Sequence, residues 1–291
     1  MKKEKTSIGV HIVFILFSLI CIIPLLMVVS ASLTSSTDLS FNGFSVLPKK
    51  IDTSAYVYLF ENPKQIINSY IVTIFITVVG TFLSVVFMAM TAYALARRRF
   101  KFKKILTAYI FFPTLFSGGL VSTYIVTTQY LHLTDSIWSL ILPGLINVFH
   151  IFMLRTFFKQ LPEGLFDAAV IDGASEFRIF TTIALRLSKP VIATVAFLGA
   201  LTRWNEWYNA MLYIRSSDKY PLQYLLQRMM MNIQEMINSM GKMPSTIALA
   251  DVPGENLRMA LLVVCIGPMM LVFPFFQKYF TKGMTVGAVK G

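Results

Sequence analysis

Charged residues are scarce in this chain. Asp, Glu, Lys and Arg make up 14% of its 291 residues, whereas a soluble globular protein carries roughly 25%. Hydrophobic residues reach 56%, and the mean hydropathy is +0.67. This composition excludes an ordinary soluble globule and indicates an integral membrane protein.

The residues and motifs of most catalytic and metal-binding chemistry are also lacking. Cys21 and Cys265 are the two cysteines, and each lies in an apolar run, which argues against a disulfide framework and thiol catalysis. The three histidines have no Cys or acidic neighbours at ligand spacing, so no metal site is predicted. No phosphate-binding GxxxxGK loop, GxSxG or HExxH sequence occurs. The sequence therefore predicts no enzyme, and an ATPase that drives it would be a separate polypeptide.

Long apolar runs fill most of the chain. A transmembrane helix needs about 20 mainly apolar residues, and six runs qualify: 10–31, 69–96, 105–127, 136–158, 191–214 and 257–280. Because backbone in lipid must satisfy its own hydrogen bonds, we predict an all-α fold with six membrane-spanning helices, in one domain over residues 1–291. The first run could instead belong to a signal peptide, but its length favours an uncleaved anchor.

Basic residues are concentrated in the segments between these runs. If the N-terminus is cytoplasmic, four inside segments together carry the whole net charge of +12: 1–9, 97–104, 155–189 and the tail from Lys278. The outside loops, 32–68 and 215–256, are each neutral. The positive-inside rule therefore predicts that both termini are cytoplasmic. The basic runs are then topology anchors, and no nucleic-acid partner is predicted.

One inside segment, Leu161–Phe180, is acidic and broken by glycine. Pro162 and Glu163 suit the first turn of a helix, Gly173 suits its left-handed end, and Ser175 can cap a second helix. Four residues of the first helix share one face: Leu165, Ala168, Ala169 and Asp172. A helix that lies on an anionic bilayer surface is usually basic, so these acids favour a protein partner.

The stretch DAAVIDGASEFRIFTTIALR (167–186) resembles the EAA loop of ABC importer permeases, whose pattern is EAA, three residues, Gly, nine residues and I-x-L-P. The positions that match without a gap are Asp167, Ala168, Ala169, Gly173, Ile183 and Leu185. Asp167 replaces the usual Glu and keeps its charge, whereas Arg186 replaces the expected Pro and is unexplained. RWNEWYNAM and the C-terminal QKYFTKGMTVGAVKG are similar to the carbohydrate-uptake branch of these permeases, nearest to its oligosaccharide importers.

The resemblance implies a type I ABC importer permease in the bacterial cytoplasmic membrane, with an EAA loop at 159–189 that docks on a cytoplasmic ATPase dimer. The predicted docking residues are Glu163, Asp167, Ala168, Ala169, Asp172, Gly173 and Arg186. Further implied partners are a second homologous permease subunit, an extracellular sugar-binding protein, an oligosaccharide and membrane lipid. ATP and Mg would bind the ATPase, and this chain would hold no cofactor. A permease for peptides, amino acids or polyamines and a non-transporting membrane scaffold remain alternatives.

Arg203 and Glu206 are the main ionisable residues within the predicted spans. Their i, i+3 spacing predicts either a local ion pair or a part in the translocation path. Aromatic faces with hydrogen-bonding neighbours suit sugars, so the candidate substrate-path residues are Arg203, Trp204, Asn205, Glu206 and Trp207. An aromatic belt at the outer membrane interface is the alternative for this segment. The lack of a chain of intramembrane acids disfavours an ion-coupled carrier.

Overall fold

The computed structural model describes residues 8–61, 63–240 and 254–288, and the regular elements in these residues are all helical. The all-α prediction is confirmed. The α-helices are α1 (Ile8–Ser32), α2 (Ser36–Asn42), α3 (Ser54–Leu59), α4 (Pro63–Ala96), α5 (Lys103–Leu115), α6 (Gly119–Ile125), α7 (Val148–Phe158), α8 (Glu163–Ile171), α9 (Glu176–Ile179), α10 (Leu185–Leu187), α11 (Lys189–Trp204), α12 (Tyr208–Tyr213), α13 (Leu222–Met240) and α14 (Glu255–Ala288).

Three of the predicted spans are continuous helices. Within the described residues, the helices that are long and apolar enough to cross a membrane alone lie in α1, α4 and α14, which contain the runs predicted at 10–31, 69–96 and 257–280. Up to five spans result if two bent helix pairs each count as one. The predicted number of six is therefore not reproduced by helix length and composition.

The run predicted at 105–127 is a bent pair. Helices α5 and α6 meet at 115° across the break at residues 116–118, and α6 continues as a π-helical turn to Tyr130. Gly119 at the start of α6 has φ +75°, a backbone conformation that costs least in glycine. Pro113, inside the last turn of α5, also favours an early end because it cannot donate a backbone hydrogen bond.

The runs at 136–158 and 191–214 are interrupted as well, which corrects the prediction of continuous helices there. The first contains a 3₁₀ turn (Ile137–Leu140), an irregular stretch and then α7, whose 11 residues span only about 16 Å. Pro143 and Gly144 lie in the irregular stretch, where a helix is disfavoured. The second run divides into α11 and α12 at residues 205–207.

The chain divides into two compact units. The first comprises Met1–Ile66 and Leu225–Pro268. Within it, Asp52 N–H donates to Leu33 O at 2.8 Å, and a 2.8 Å hydrogen bond joins the Ser32 and Tyr56 hydroxyls. These bonds hold the segment after α1 against the segment that contains α3.

The second unit comprises Ile67–Tyr224 and Met269–Gly291 and contains two core clusters. The larger, here called the coupling-end core, joins the last turns of α4 to α7, α8, α9 and α11, and its fully buried members include Leu95, Ile151, Leu154, Ile179 and Val195. The smaller joins the first half of α4 to the 3₁₀ turn, α12 and the start of α13, with Ile76, Ile141 and Ala210 completely buried. Helix α4 therefore contributes to both cores.

Asp135 joins two segments that are far apart in sequence. Its backbone N–H donates to Tyr213 O at 2.8 Å. Its carboxylate accepts from the Arg215 and Ser216 N–H groups at 2.9 Å each, from the Ser216 hydroxyl at 2.6 Å and from Lys219 Nζ at 2.8 Å. Asp135 has φ +54°, which Asp tolerates better than most residues. We call these contacts the Asp135 clasp, which the sequence pattern did not reveal.

The clasp predicts a pH-dependent contribution to stability. The hydrogen bonds from Lys219 and Ser216 lower the pKa of Asp135 below its usual range. When folding lowers the pKa of a carboxyl group, its contribution to the free energy of unfolding is complete above the unfolded-state pKa, about 3.9. This contribution is lost as the pH falls through the folded-state pKa. We therefore expect Asp135→Asn to lower the Tm of the detergent-purified chain by a few degrees at pH 7, with a smaller difference as the pH falls below about 4.

Asp218→Asn is the matched control, because Asp218 is exposed in the same loop and makes no side-chain hydrogen bond in the described residues. Its Tm should follow the wild-type value at each pH. A gap between wild type and Asp135→Asn that stays constant down to pH 3 would contradict an electrostatic role for the clasp.

Candidate functional site

The acidic segment folds as two short helices around a glycine turn, as predicted. Helix α8 begins after Pro162, and it ends at Gly173, which has φ +74°. Gly173 N–H donates to Val170 O at 3.1 Å, and Ala174 N–H donates to Ala169 O at 2.9 Å. These two bonds are the Schellman arrangement that satisfies the last carbonyls of a helix. The prediction of a left-handed glycine at the end of α8 is therefore confirmed.

The second helix starts at the predicted cap. The Ser175 hydroxyl accepts a hydrogen bond from Arg178 N–H at 3.3 Å, and α9 follows. The helix continues through a π-helical turn (Phe180–Ala184) into α10. Arg186 lies in α10 with an exposed side chain and no ion pair or side-chain hydrogen bond in the described residues. The structure gives no reason for its replacement of proline, and its part in docking stays a prediction.

Helix α8 presents one face to the protein and the other to solvent. The Phe166 ring is buried, and Ala169, Val170 and Ala174 pack against the coupling-end core. Three of the four residues predicted to share a face are exposed, namely Leu165, Ala168 and Asp172, whereas Ala169 turns partly inward. Two further apolar side chains that the sequence did not single out are also exposed: Ile171 at 85% and Phe177 at 66%.

The acids of this segment are paired with three consecutive arginines that follow α4. Glu176 accepts from Arg97 at 3.0 Å, Glu163 pairs with Arg98, and Asp167 lies 3.6 Å from Arg99. We call these three pairs the arginine ladder. The sequence alone indicates only a topology anchor for the basic run, because nothing in a single sequence links residues 97–99 to residues 163–176. The signal that could have suggested the ladder is the presence of opposite charges on two consecutive inside segments, 97–104 and 155–189.

The Arg97–Glu176 rung is the best enclosed. The Arg97 side chain is only 14% exposed, and its guanidinium lies over the Phe166 ring at 4.9 Å from the centroid. The Tyr93 hydroxyl donates to the second Glu176 oxygen at 2.6 Å. The other two rungs join side chains that are mostly exposed, and such pairs contribute little stability. The ladder is therefore anchored at Glu176, while the rungs at Glu163 and Asp167 can exchange partners at low cost.

The second group of predicted site residues surrounds a buried arginine in α11. Arg203 is 7% exposed, and it donates to the Ser84 hydroxyl of α4, to Gly144 O at 3.0 Å and to Gly199 O at 3.3 Å. Gly80 makes this position possible, because a Cβ built there would lie 2.4 Å from Arg203 Nε. A charged side chain in a membrane helix is costly unless it is partnered, and here its partners are a hydroxyl and backbone carbonyls.

Glu206 does not pair with Arg203, so the predicted i, i+3 ion pair is wrong. Its carboxylate instead accepts from Asn209 N–H and from the Asn209 side-chain amide, both at 2.9 Å. These bonds cap the start of α12. The pair is prevented because α11 ends at Trp204, so the two residues no longer lie on one continuous helix.

The remaining candidates for the substrate path differ in exposure. Trp204 is buried, and the exposed Asn205 side chain donates to Leu201 O at 2.8 Å. Trp207 and the neighbouring Tyr208 are about 40% exposed, at 39% and 43%, and their rings meet edge to face with centroids 5.7 Å apart. Asn205, Trp207 and Tyr208 are thus accessible, whereas Arg203 and Trp204 are buried. Within the described residues, no group of three His, Cys, Asp or Glu side chains could hold a metal ion.

Comparisons with known proteins show the family and the fold. The family model for the binding-protein-dependent transport system inner membrane component matches residues 62–286. Protein LplC of Bacillus subtilis (strain 168) is 40% identical over 272 residues, which are 94% of this chain and 90% of LplC. The polygalacturonan/rhamnogalacturonan transport system permease protein YtcP of the same strain is 36% identical over 291 residues and 100% of both chains. A chain in the crystal structure of a bacterial ABC transporter involved in the import of the acidic polysaccharide alginate has a TM-score of 0.80 and 28% identity, covering 96% of this chain and 99% of that chain.

The buried arginine yields a stability prediction for Gly80→Ala. The added Cβ would also lie 2.7 Å from Arg203 Cδ, and Arg203 cannot move away without leaving its buried hydrogen-bond partners unsatisfied. Alanine normally favours a helix over glycine by about 1 kcal/mol, but the overpacking should outweigh this and cost about 1–3 kcal/mol. We expect a lower Tm in detergent.

Gly267→Ala in α14 is the control, because a Cβ at Gly267 meets no atom within 4 Å. That variant should match or exceed the wild-type Tm. Equal Tm values for Gly80→Ala and Gly267→Ala would show that Arg203 does not depend on close contact with α4.

Proposed function

This chain belongs to the family of binding-protein-dependent transport system inner membrane components, and from that premise we propose that it is the membrane permease subunit of an ATP-driven oligosaccharide importer. The observation on which this rests is the α8–Gly173–α9 turn. It presents a short helix with an exposed outer face, while its inner face is fixed by Phe166 and the arginine ladder. A segment of this kind is suited to contact with a motor protein, whereas contact with lipid does not require such a segment.

The names of two similar proteins point to sugars as the transported solutes. One relative is named for the transport of polygalacturonan and rhamnogalacturonan, and the structural neighbour belongs to a transporter that imports alginate. The exposed pair Trp207 and Tyr208, next to the amide of Asn205, offers the aromatic faces and hydrogen-bonding groups that sugars need. We therefore favour an oligosaccharide over peptides, amino acids or polyamines, and a transporter over a passive scaffold.

The coupling role falls to the exposed side of α8 and its glycine turn. Ala168 leaves room for close approach by a partner, and Asp167 can leave Arg99 for a cation of the partner. Asp172 adds a charge that has no ion pair among the residues that the structure describes. Leu165, Ile171 and Phe177 offer apolar contact area. The partner would be a cytoplasmic ATPase dimer that binds ATP and Mg, so this chain needs no cofactor of its own.

The proposed orientation places α8 and both termini in the cytoplasm. The arginine ladder supports it, because Arg97, Arg98 and Arg99 lie beside the acidic segment and hence on the same side of the membrane. Positive charge of this density marks the cytoplasmic side. A second homologous permease subunit would complete the translocation path, and an extracellular binding protein would deliver the sugar.

Reconstitution tests the function. The chain, its second permease subunit, its ATPase and its binding protein are placed in proteoliposomes, and ATP hydrolysis is measured with acidic oligosaccharides, neutral oligosaccharides, peptides and polyamines. We expect stimulation by an oligosaccharide only. Stimulation by a peptide or polyamine, or by no solute, would refute the assignment of a sugar substrate.

The coupling role predicts that Gly173→Pro and Asp167→Lys separate ATP hydrolysis from uptake. Proline requires φ near −65° and cannot adopt the +74° found at residue 173, so the turn between α8 and α9 must change. Lysine at position 167 places a cation next to Arg99 and removes the charge offered to the partner. We expect membrane insertion to persist while solute uptake per ATP hydrolysed falls roughly tenfold or more, because the altered surface no longer transmits movement of the partner.

Gly164→Ala is the control within the same helix, because a Cβ there meets no atom within 4 Å and its backbone has no left-handed φ. It should transport like the wild type. Wild-type uptake in both Gly173→Pro and Asp167→Lys would refute the coupling role of α8.

A further inference from the structure

A basic cleft lies where the last turn of α4, the start of α5, the end of α7 and the start of α8 meet. Its volume is about 280 Å³. Its walls are apolar at Phe158, Leu161 and Phe166, and its rim carries four cations, Arg97, Arg98, Lys103 and Lys159, with one acid, Glu163. The cleft lies at helix ends, at the depth of the lipid headgroups if these helices span the membrane.

The cations of the cleft outnumber the acids that can neutralise them. Arg97 is paired with Glu176, and Arg98 with Glu163. Lys103 and Lys159 form no ion pair with a carboxylate in the described residues, and neither does Arg155, one helical turn before Lys159. The nearby acids are therefore already paired within the arginine ladder, and Lys103 and Lys159 leave the cleft with a surplus of positive charge, to which Arg155 adds from outside the lining.

Two further observations indicate that this surplus lacks an anion. The Arg155 guanidinium, partial burial and Lys103 lower the pKa of Lys159, so the three cations repel one another. The buried Nε–H groups of Arg97 and Arg155 have no hydrogen-bond acceptor in the described residues. Buried donors without acceptors are costly. Of these two arginines Arg97 lines the cleft, so an anion bound there would reduce the repulsion among the cations and could accept from the Arg97 Nε–H group.

The surroundings of the cleft suit a ligand that is charged at one end and apolar at the other. Helix α5 starts at the cleft with Lys103 and continues with apolar and aromatic side chains that are exposed in this chain, including Ile105 at 70% and Tyr109 at 76%. An acyl chain can lie along such a surface, whereas a free phosphate ion gains nothing from it. Basic pockets between membrane helices on the cytoplasmic side are where anionic headgroups bind.

We propose that this cleft binds the phosphate of an anionic phospholipid headgroup, with Lys103 and Lys159 as its main contacts and Arg155 as a supporting charge. The headgroup supplies a hydrogen-bond acceptor for the Arg97 Nε–H group, which has none within the described residues. It also holds α4, α5, α7 and α8 together at the point where they meet. The site does not depend on the transported solute. It requires only that the chain lies in a membrane with these helix ends at the interface.

The test uses the full chain, purified in detergent and stripped of lipid, with lipid retention measured by native mass spectrometry. The probes are dioleoylphosphatidylglycerol and, as the zwitterionic comparison, dioleoylphosphatidylcholine. We expect the wild type to retain the anionic lipid preferentially. The double variant Lys103→Gln/Lys159→Gln should lower its affinity roughly tenfold or more, as expected for two lysines that each contribute to an anionic surface contact.

The matched control is Lys101→Gln/Lys104→Gln, which removes the same charge from exposed positions of the same segment that do not line the cleft. It should bind the anionic lipid within about twofold of wild type, because an exposed charge that makes no direct contact with the ligand contributes little. Lys103→Arg/Lys159→Arg, which keeps the charge, should also retain it. If both Gln double variants lose lipid equally, binding is diffuse and the proposal fails.

Two other outcomes would also overturn the proposal. Displacement of phosphatidylglycerol by millimolar inorganic phosphate would identify a soluble anion as the ligand. Loss of ATPase co-purification from Lys103→Gln/Lys159→Gln, with lipid retention unchanged, would assign the cleft to a protein partner. Neither result bears on sugar transport, which the reconstitution assay tests separately.

Discussion

Backbone hydrogen bonding where water is absent is the constraint on which the second unit depends. An unpaired N–H or C=O group in hydrocarbon is costly, so a membrane helix can break only where another group replaces the lost bond. In this chain polar side chains supply those bonds around the interruption at residues 141–147. The Ser84 hydroxyl donates to Leu145 O at 2.7 Å, and Arg203 donates to Gly144 O. Their position on α4 and α11 is what allows an irregular segment to lie between those helices.

The same constraint explains which parts of the fold could be predicted. Helices α1, α4 and α14 follow from apolar length alone, because an uninterrupted run satisfies its own backbone. The interruption near Pro143 and Gly144 does not follow from apolar length, since its replacement hydrogen bonds come from Ser84 and Arg203, which are about 60 residues away in each direction. The composition of residues 136–158 shows that they are apolar, but it contains no information on the distant partners Ser84 and Arg203.

The candidate site divides in a similar way. The turn at Gly173 and the cap at Ser175 were predictable because they are local, and each depends on hydrogen bonds over a few residues. The arginine ladder was not predictable, because it depends on the approach of α4 to α8 and α9. The ladder changes the character of the proposed docking surface. With Glu163, Asp167 and Glu176 paired internally, the outer face is more apolar than the sequence suggests, and Asp172 is its one acid without an ion pair among the described residues.

Helix α4 links the two groups of site residues. Gly80 and Ser84 contact Arg203 in α11, while Tyr93 and the following Arg97 hold Glu176 at the coupling segment. Ser84 and Arg97 are separated by 13 positions along one helix, a distance of about 20 Å. A displacement of α9 must therefore either break its bonds to Tyr93 and Arg97 or move α4 with it. Movement of α4 with α9 would also shift the irregular segment at Gly144, because α4 is continuous and its contacts with Arg203 are close. The path from the proposed docking segment to Arg203 thus consists of the second half of α4, with polar contacts at Ser84 and, after its last turn, at Arg97.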